Sequence, residues 1–176
     1  FEDIKKIEPA TIMIYDLNNK EFEVNKYWDI EKIINKPSEY NLEEVEKILK
    51  SACEYRMVSD VPVSSFLSSG IDSSLVTALL AKNYKLNTIT IGVNDERYNE
   101  AKLAKEISTS LNTKQHEKYI SEGDLLELVN TLPYFYDEPF SDTSIYPTYL
   151  VSKITSEQYK VALSSDGGDE SFGGYY

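Results

Sequence analysis

An α/β fold built on a doubly wound, mostly parallel sheet is what this sequence of 176 residues predicts. Three observations carry that expectation. Runs of strand length alternate with segments whose apolar residues recur at helical spacing. Thr88 to Val93 is a β-branched run bounded by Gly92 and Asn94, which suits a strand buried on both faces of a parallel sheet. Two turns rich in glycine and serine directly follow predicted strands, where ligand-binding loops of such sheets leave the carboxyl edge.

Residues 1–40 read as an entry segment with its own small hairpin. Thr11 to Tyr15 branches and alternates like a strand, Asp16 to Asn19 reads as a turn, and Phe22 to Trp28 is a second half-buried stretch. Pro37 and Ser38 mark a linker, and the main domain is expected over 41–176. There Asn41 with Glu44 gives a capping box, and Leu42, Val45, Ile48, Leu49 and Ala52 line a helix expected to end near Ser59. Val61 to Leu67 is the next strand, with Pro62 tolerable only near its start. Leu75, Val76, Leu79 and Leu80 mark a helix, Thr88 to Val93 a strand, and Ala101, Ala104, Ile107 and Leu111 another helix. His116 falls at the end of a further strand. Ser121 with Asp124 caps a helix carrying Leu125, Leu126, Val129 and Leu132; Ile145 to Ile154 is helical and Lys160 to Leu163 a last short strand.

Thirty acidic against eighteen basic side chains give a formal charge of −12. Such a surface repels nucleic acid and anionic lipid, so neither is an expected partner. A polyanion could be held here only by backbone N–H groups and a bound cation such as Mg²⁺. Cys53 is the single cysteine, which excludes an intrachain disulfide; its apolar helical setting reads as a buried small side chain. His116 has no second His or Cys near it, so no zinc site is expected. No apolar run approaches the roughly 20 residues that span a bilayer, and no signal-peptide pattern opens the chain. A cytoplasmic location is the expectation.

The first chemical signal is Ser68-Ser69-Gly70-Ile71-Asp72-Ser73-Ser74, between a predicted strand and helix. In that context successive backbone N–H groups converge with the positive end of a helix dipole behind them, and the hydroxyls of Ser68, Ser73 and Ser74 add donors. No lysine follows at the spacing of a Walker A loop. Asp72 would repel phosphate unless Mg²⁺ lay between them. On its own, this turn is equally well read as a capped strand-to-helix connection.

The second signal runs from Leu163 through Ser164, Ser165, Asp166, Gly167, Gly168, Asp169 and Glu170 to Gly174 and Tyr175. Three acidic residues among four glycines are poor core material and are costly to crowd together without a cation. Gly167 and Gly168 permit close backbone approach to a ligand. The bland alternative is a flexible acidic surface loop. Loops after neighbouring strands meet at one sheet edge, so the two signals are expected to form one site.

Together with Arg56 to Phe66, Asp137 to Asp142, Pro147 to Ser152 and Tyr27-Trp28-Asp29, these motifs resemble the synthetase domain of the glutamine-dependent asparagine synthetase family, in the correct order over nearly the whole chain. The resemblance implies a fold of the ATP-pyrophosphatase type, also described as adenine nucleotide alpha hydrolase-like. It implies ATP-dependent amidation of aspartate through a β-aspartyl-AMP intermediate, with AMP and pyrophosphate as products, and ATP and Mg²⁺ as cofactors. Ser68, Ser69, Gly70, Asp72 and Ser73 would form the pyrophosphate loop. Leu67 and Ile91 would contact adenosine, and Ser164, Ser165 and Gly167 would line the nucleotide further along. Asp72 and Asp169 would share Mg²⁺, and Asp166 would assist formation and use of the acyl-adenylate, accepting the proton that ammonia must lose.

The family usually has glycine at the positions of Ser64, Ser69 and Ser165, which leaves ATP affinity open. The resemblance further implies an N-terminal glutaminase domain, supplying ammonia from glutamine, that is absent here. It also implies C-terminal helices with a catalytic lysine beyond Tyr176. The segment is therefore expected not to complete the reaction by itself, and homodimer formation is left open. Two other readings stand beside this one: a related adenylating amidotransferase or cyclase with another acceptor, and a non-catalytic nucleotide-binding module.

Overall fold

The computed structural model describes residues 2–35, 39, 41–97, 99–138 and 141–174, and the chain divides into two compact units, 1–41 and 42–176. The Pro37–Ser38 linker lies outside the described residues.

The first unit is an antiparallel hairpin of β1 (Thr11–Tyr15) and β2 (Phe22–Lys26), in register from Thr11↔Lys26 to Tyr15↔Phe22. Its turn is closed locally: Asn18 N–H donates to Asp16 Oδ1 (2.8 Å), Glu21 N–H donates to Asn19 Oδ1 (3.0 Å), and Lys20 takes the left-handed conformation at φ 61°. The second strand stops at Lys26, short of the expected Trp28. Asp29 instead caps an unanticipated five-residue helix, α1 (Ile30–Ile34), accepting from Glu31 N–H at 3.2 Å.

In the second unit, α2 (Leu42–Tyr55) ends four residues before the expected Ser59. Arg56 and Met57 N–H groups fold back onto the Cys53 and Glu54 carbonyls, and Arg56 Nη1 donates to the Ala52 carbonyl at 2.8 Å. These bonds satisfy carbonyls that the helix leaves open and tighten its last turn. The chain continues through β3 (Val63–Phe66), α3 (Ile71–Ala81), β4 (Asn87–Val93), α4 (Ala101–Ser110) and β5 (Lys114–Ile120). Then come α5 (Glu122–Leu128), a single 3₁₀ turn at Leu132–Tyr134, α6 (Ile145–Ser156), β6 (Val161–Leu163) and α7 (Gly168–Phe172). The expected cap on α5 is a complete capping box between Ser121 and Asp124.

The second unit's sheet is parallel, with strand order β5-β4-β3-β6. Helices cover both faces, as the alternation of β4 shows. Ile91 and Val93 pack with Leu150 and Ile145 of α6. Thr88, of opposite parity, lies 3.4 Å from Thr113 Oγ1, which in turn bonds Ser108 of α4 at 2.7 Å. The sheet is therefore doubly wound. β5 is longer than the sequence suggests, and His116 lies inside it, 3.1 Å from Asn87 Oδ1, rather than at its end. From β3 the chain winds outward to β5, then returns past β3 to β6. The loops after β3 and β6 thus leave adjacent strands in divergent directions, which opens a crevice at their carboxyl ends.

One apolar cluster joins Cys53 of α2, Val63, Leu79, Leu80, Leu86 and Leu163; another joins Ile120, Leu128, Leu132 and Leu150. Cys53 is a buried member of the first, and burial pushes its thiol pKa up, which suits packing rather than nucleophilic chemistry. Two buried threonines contrast in kind. Thr90 Oγ1 donates to the Leu67 carbonyl at 2.8 Å and accepts from Gln115 Nε2 at 3.0 Å, whereas Thr77 Oγ1 is buried with no hydrogen-bond partner among the described residues. The same substitution should therefore have opposite signs. Thr90→Val is expected to cost about 1–3 kcal/mol, because it orphans buried partners, while Thr77→Val should be neutral or stabilising by up to about 1 kcal/mol. Urea unfolding of both variants checks the contrast, and equal losses would refute it.

Candidate functional site

The strand β3 hands over to α3 through a loop whose backbone N–H groups are all engaged. Ser68 N–H donates to Ser73 Oγ (3.1 Å), Gly70 N–H to Ser68 Oγ (3.0 Å), and Ser69 N–H to Glu100 Oε2 (3.2 Å). The Ser68 and Ser73 hydroxyls lie 2.9 Å apart. Ser74 differs from expectation. Its hydroxyl donates to the Gly70 carbonyl at 2.7 Å, back-bonding within its own helix rather than adding a donor to the loop. Gly70, at φ −68° and ψ 152°, is the N-cap of α3, so the loop and the positive helix end coincide.

After β6 the second loop turns at Gly167, whose φ of 95° is a left-handed conformation that glycine adopts without strain. What the sequence left as a possible flexible loop is in part a helix. α7 begins at Gly168 and carries Asp169 and Glu170 in its first turn. Ser164 Oγ donates to Asp166 Oδ2 at 2.9 Å, which fixes that carboxylate locally.

The two loops meet. A Cβ built on Gly168 would collide with Asp72 Oδ2 and lie 2.5 Å from Asp72 Cγ, so the half-buried Asp72 carboxylate rests against the Gly168 α-carbon, next to Asp169. Asp169 is exposed, and its carboxylate abuts Gly174. Between the loops lies a cleft of about 990 Å³ lined by Ser68, Gly70, Asp72, Ser73, Ser165, Asp166, Gly167 and Asp169. A second cavity of about 440 Å³ adjoins it, lined by Leu67, Ile91, Thr90, Ser164 and Glu100, and shares Ser68, Ser73, Ser165 and Asp166 with the first. Of the sequence-predicted residues, Ser69 and Ser74 line neither cavity; Ser69 enters through its N–H bond to Glu100.

The far wall of the larger cleft comes from Tyr136, Asp142, Ser144 and Thr148. Ser144 N–H donates to Asp142 Oδ1 at 2.8 Å, and the Ser144 backbone and hydroxyl hold the Asp142 carboxyl below the usual carboxylate range. Sequence reasoning assigned no role to these residues, although Asp142 and Thr148 fall in stretches that carried the resemblance. Pro139, Phe140 and Tyr175, in the same motifs, lie outside the described residues.

Among the described residues, no group of three or more His, Cys, Asp or Glu is arranged to hold a metal ion. Asp72 and Asp169 both line the cleft, and one or two carboxylates are what Mg²⁺ commonly takes from protein when phosphates and water complete its shell. Each of the serine departures finds a place. Ser64 is fully buried and its hydroxyl bonds the Val161 carbonyl of β6 at 3.3 Å, while Ser69 and Ser165 are partly exposed on the loops.

The family model for asparagine synthase matches residues 44–176. The chain is 39% identical over 181 aligned positions to a candidate glutamine-hydrolysing asparagine synthetase 2 of Methanocaldococcus jannaschii, covering 99% of this chain and 35% of that protein. It is 35% identical over 136 positions to glutamine-hydrolysing asparagine synthetase 1 of Bacillus subtilis, covering 76% of this chain and 21% of that protein. The chain thus spans about a third or less of the length of these curated relatives. Among solved structures, it is similar in fold to the glutamine-dependent NAD+ synthetase of Acinetobacter baumannii in complex with adenosine diphosphate, with a TM-score of 0.55 at 18% identity over 93% of this chain and 31% of the other.

Proposed function

Because this chain belongs to the asparagine synthase family, we propose that it forms the nucleotide-binding half of an enzyme that amidates aspartate at the expense of ATP. The observation that carries this reading is the contact of Asp72 with Gly168, which joins the serine loop and the acidic loop in one crevice at the carboxyl ends of β3 and β6.

In this reading the adenosine of ATP occupies the cavity floored by Leu67 and Ile91, and its phosphates enter the larger cleft beside Ser68, Gly70 and Ser73. The side-chain carboxylate of aspartate attacks the α-phosphorus and pyrophosphate departs, giving the β-aspartyl adenylate. Ammonia then attacks the acyl carbon and AMP leaves. Asp166, at the junction of both cavities, accepts the proton that ammonia loses. Mg²⁺, held by Asp72 and Asp169, would neutralise charge on the departing phosphates. The chain's own part is to orient the reacting groups and to present fixed dipoles where charge develops. We place the enzyme in the cytoplasm and derive its ammonia from glutamine hydrolysed elsewhere in the same protein.

Calorimetric titration with Mg-ATP tests the site. Asp72→Ala is expected to weaken binding at least tenfold, with the melting temperature little changed. Equal binding by both forms would remove Asp72 from the site. A related adenylating enzyme would share this binding step and differ only in acceptor. Pyrophosphate release in the presence of aspartate, compared with other carboxylates, separates the two.

A further inference from the structure

Glu100 is the N-cap of α4, a position from which the shorter side chains of Asp, Asn, Ser or Thr ordinarily bond the first free N–H groups of the helix. No such bond is present at Glu100; its neighbour Asn99 takes the task, accepting from Ala101 N–H at 3.1 Å. The Glu100 carboxylate instead reaches a loop 31 residues earlier and accepts from Ser69 N–H at 3.2 Å.

That partner is telling. Ser68 and Gly70 N–H groups are satisfied by serine hydroxyls, which are neutral and can rotate away. Ser69 N–H alone among the three is held by an anion. Glu100 also lines the smaller cavity, beside Leu67, Ser68 and Thr90. A phosphate oxygen seeking the Ser69 N–H would have to displace one negative charge while a second, Asp72, stands at the start of α3. Like charges brought this close repel even at an exposed site, most at low salt, unless a cation lies between them.

We propose that Glu100 is a specificity-determining residue of the phosphate cradle: its carboxylate, seated on Ser69 N–H, excludes metal-free anions and admits polyphosphate only as the Mg²⁺ complex. The inference rests on the nucleotide-site reading above and adds to it a device that couples occupancy to the metal. Free inorganic anions, abundant wherever ATP is, would otherwise compete for the same donors.

The test uses pyrophosphate as probe, titrated calorimetrically into the full chain with and without Mg²⁺, for wild type and Glu100→Gln. Glutamine keeps an oxygen acceptor for Ser69 N–H and removes only the charge. The wild type is expected to bind Mg-pyrophosphate at least tenfold tighter than metal-free pyrophosphate. Glu100→Gln should tighten metal-free binding roughly tenfold while changing Mg-pyrophosphate binding less than threefold, and the metal-free gain should shrink at high salt. A wild type without metal preference, or a variant whose metal-free affinity is unchanged, overturns the inference but leaves the nucleotide site standing. Equal weakening with and without metal would make Glu100 a prop for the loop and also overturn it. If neither form binds pyrophosphate under any condition, the site reading falls and the inference with it. Circular dichroism melting of the variant confirms that it is folded in each case.

Discussion

Gly168→Ala is expected to weaken Mg-ATP binding at least a hundredfold while leaving the fold intact. The substituted methyl would occupy the space of the Asp72 carboxylate, with its carbon 2.5 Å from Asp72 Cγ. Either the carboxylate rotates out of the crevice or the acidic loop retreats. Both moves separate the groups that the proposed metal must bridge. Gly168 is not among the residues with positive φ, so alanine fits its backbone, and at the first position of α7 it is a better helix former than glycine. Any loss of affinity therefore reports the steric displacement of Asp72 and not local unfolding. The check is calorimetry with Mg-ATP alongside thermal melting. An alanine variant that binds like wild type would mean that the loops part freely and that their contact has no part in the site.

The parallel sheet was legible chiefly from its central strand β4, which is largely buried on both faces and carries β-branched residues at every position from Thr88 to Val93 except Gly92. The full length of β5 was missed for the converse reason. It is an edge strand, and its Lys114-Gln115-His116-Glu117-Lys118 stretch carries the charged residues that blunt an exposed edge. The end of α2 was misplaced because the apolar period continues past Tyr55, while the helix is stopped by carbonyl capping from Arg56, which a periodicity count does not register. The short helices α1 and α7, five residues each, have too few turns to show a period at all.

The site was legible to a greater degree, since its two loops are continuous in sequence and rich in residues with little use elsewhere. What the sequence could not show is which donors are already spent. Ser74 looks like a cradle hydroxyl until its bond to the Gly70 carbonyl is seen. Glu100 lies in an unremarkable stretch, and only the fold brings it to Ser69. Asp142 and Thr148 likewise reach the cleft from a distant segment of chain.

Leu80→Ala should cost about 2–5 kcal/mol of stability, a large share of the roughly 5–15 kcal/mol that holds a typical domain folded. Leu80 has no exposed surface and packs with Cys53, Val63, Leu79, Leu86 and Leu163. Val63 and Leu163 belong to β3 and β6, the strands that launch the two functional loops, so the cavity would open directly beneath the site. Leu75, about one and a half helical turns earlier in α3, is 43% exposed, and its truncation should cost less, about 1 kcal/mol, since nearly half of it stays in water on folding. The urea midpoints of the two variants measure the difference, and similar losses would mean that the packing around Leu80 relaxes to fill the space. Leu80 touches neither cavity, so at temperatures where the variant is still folded its Mg-ATP affinity should stay within about threefold of wild type. That retention would separate a residue that builds the platform from residues such as Asp72, whose removal is expected to spare the platform and weaken nucleotide binding.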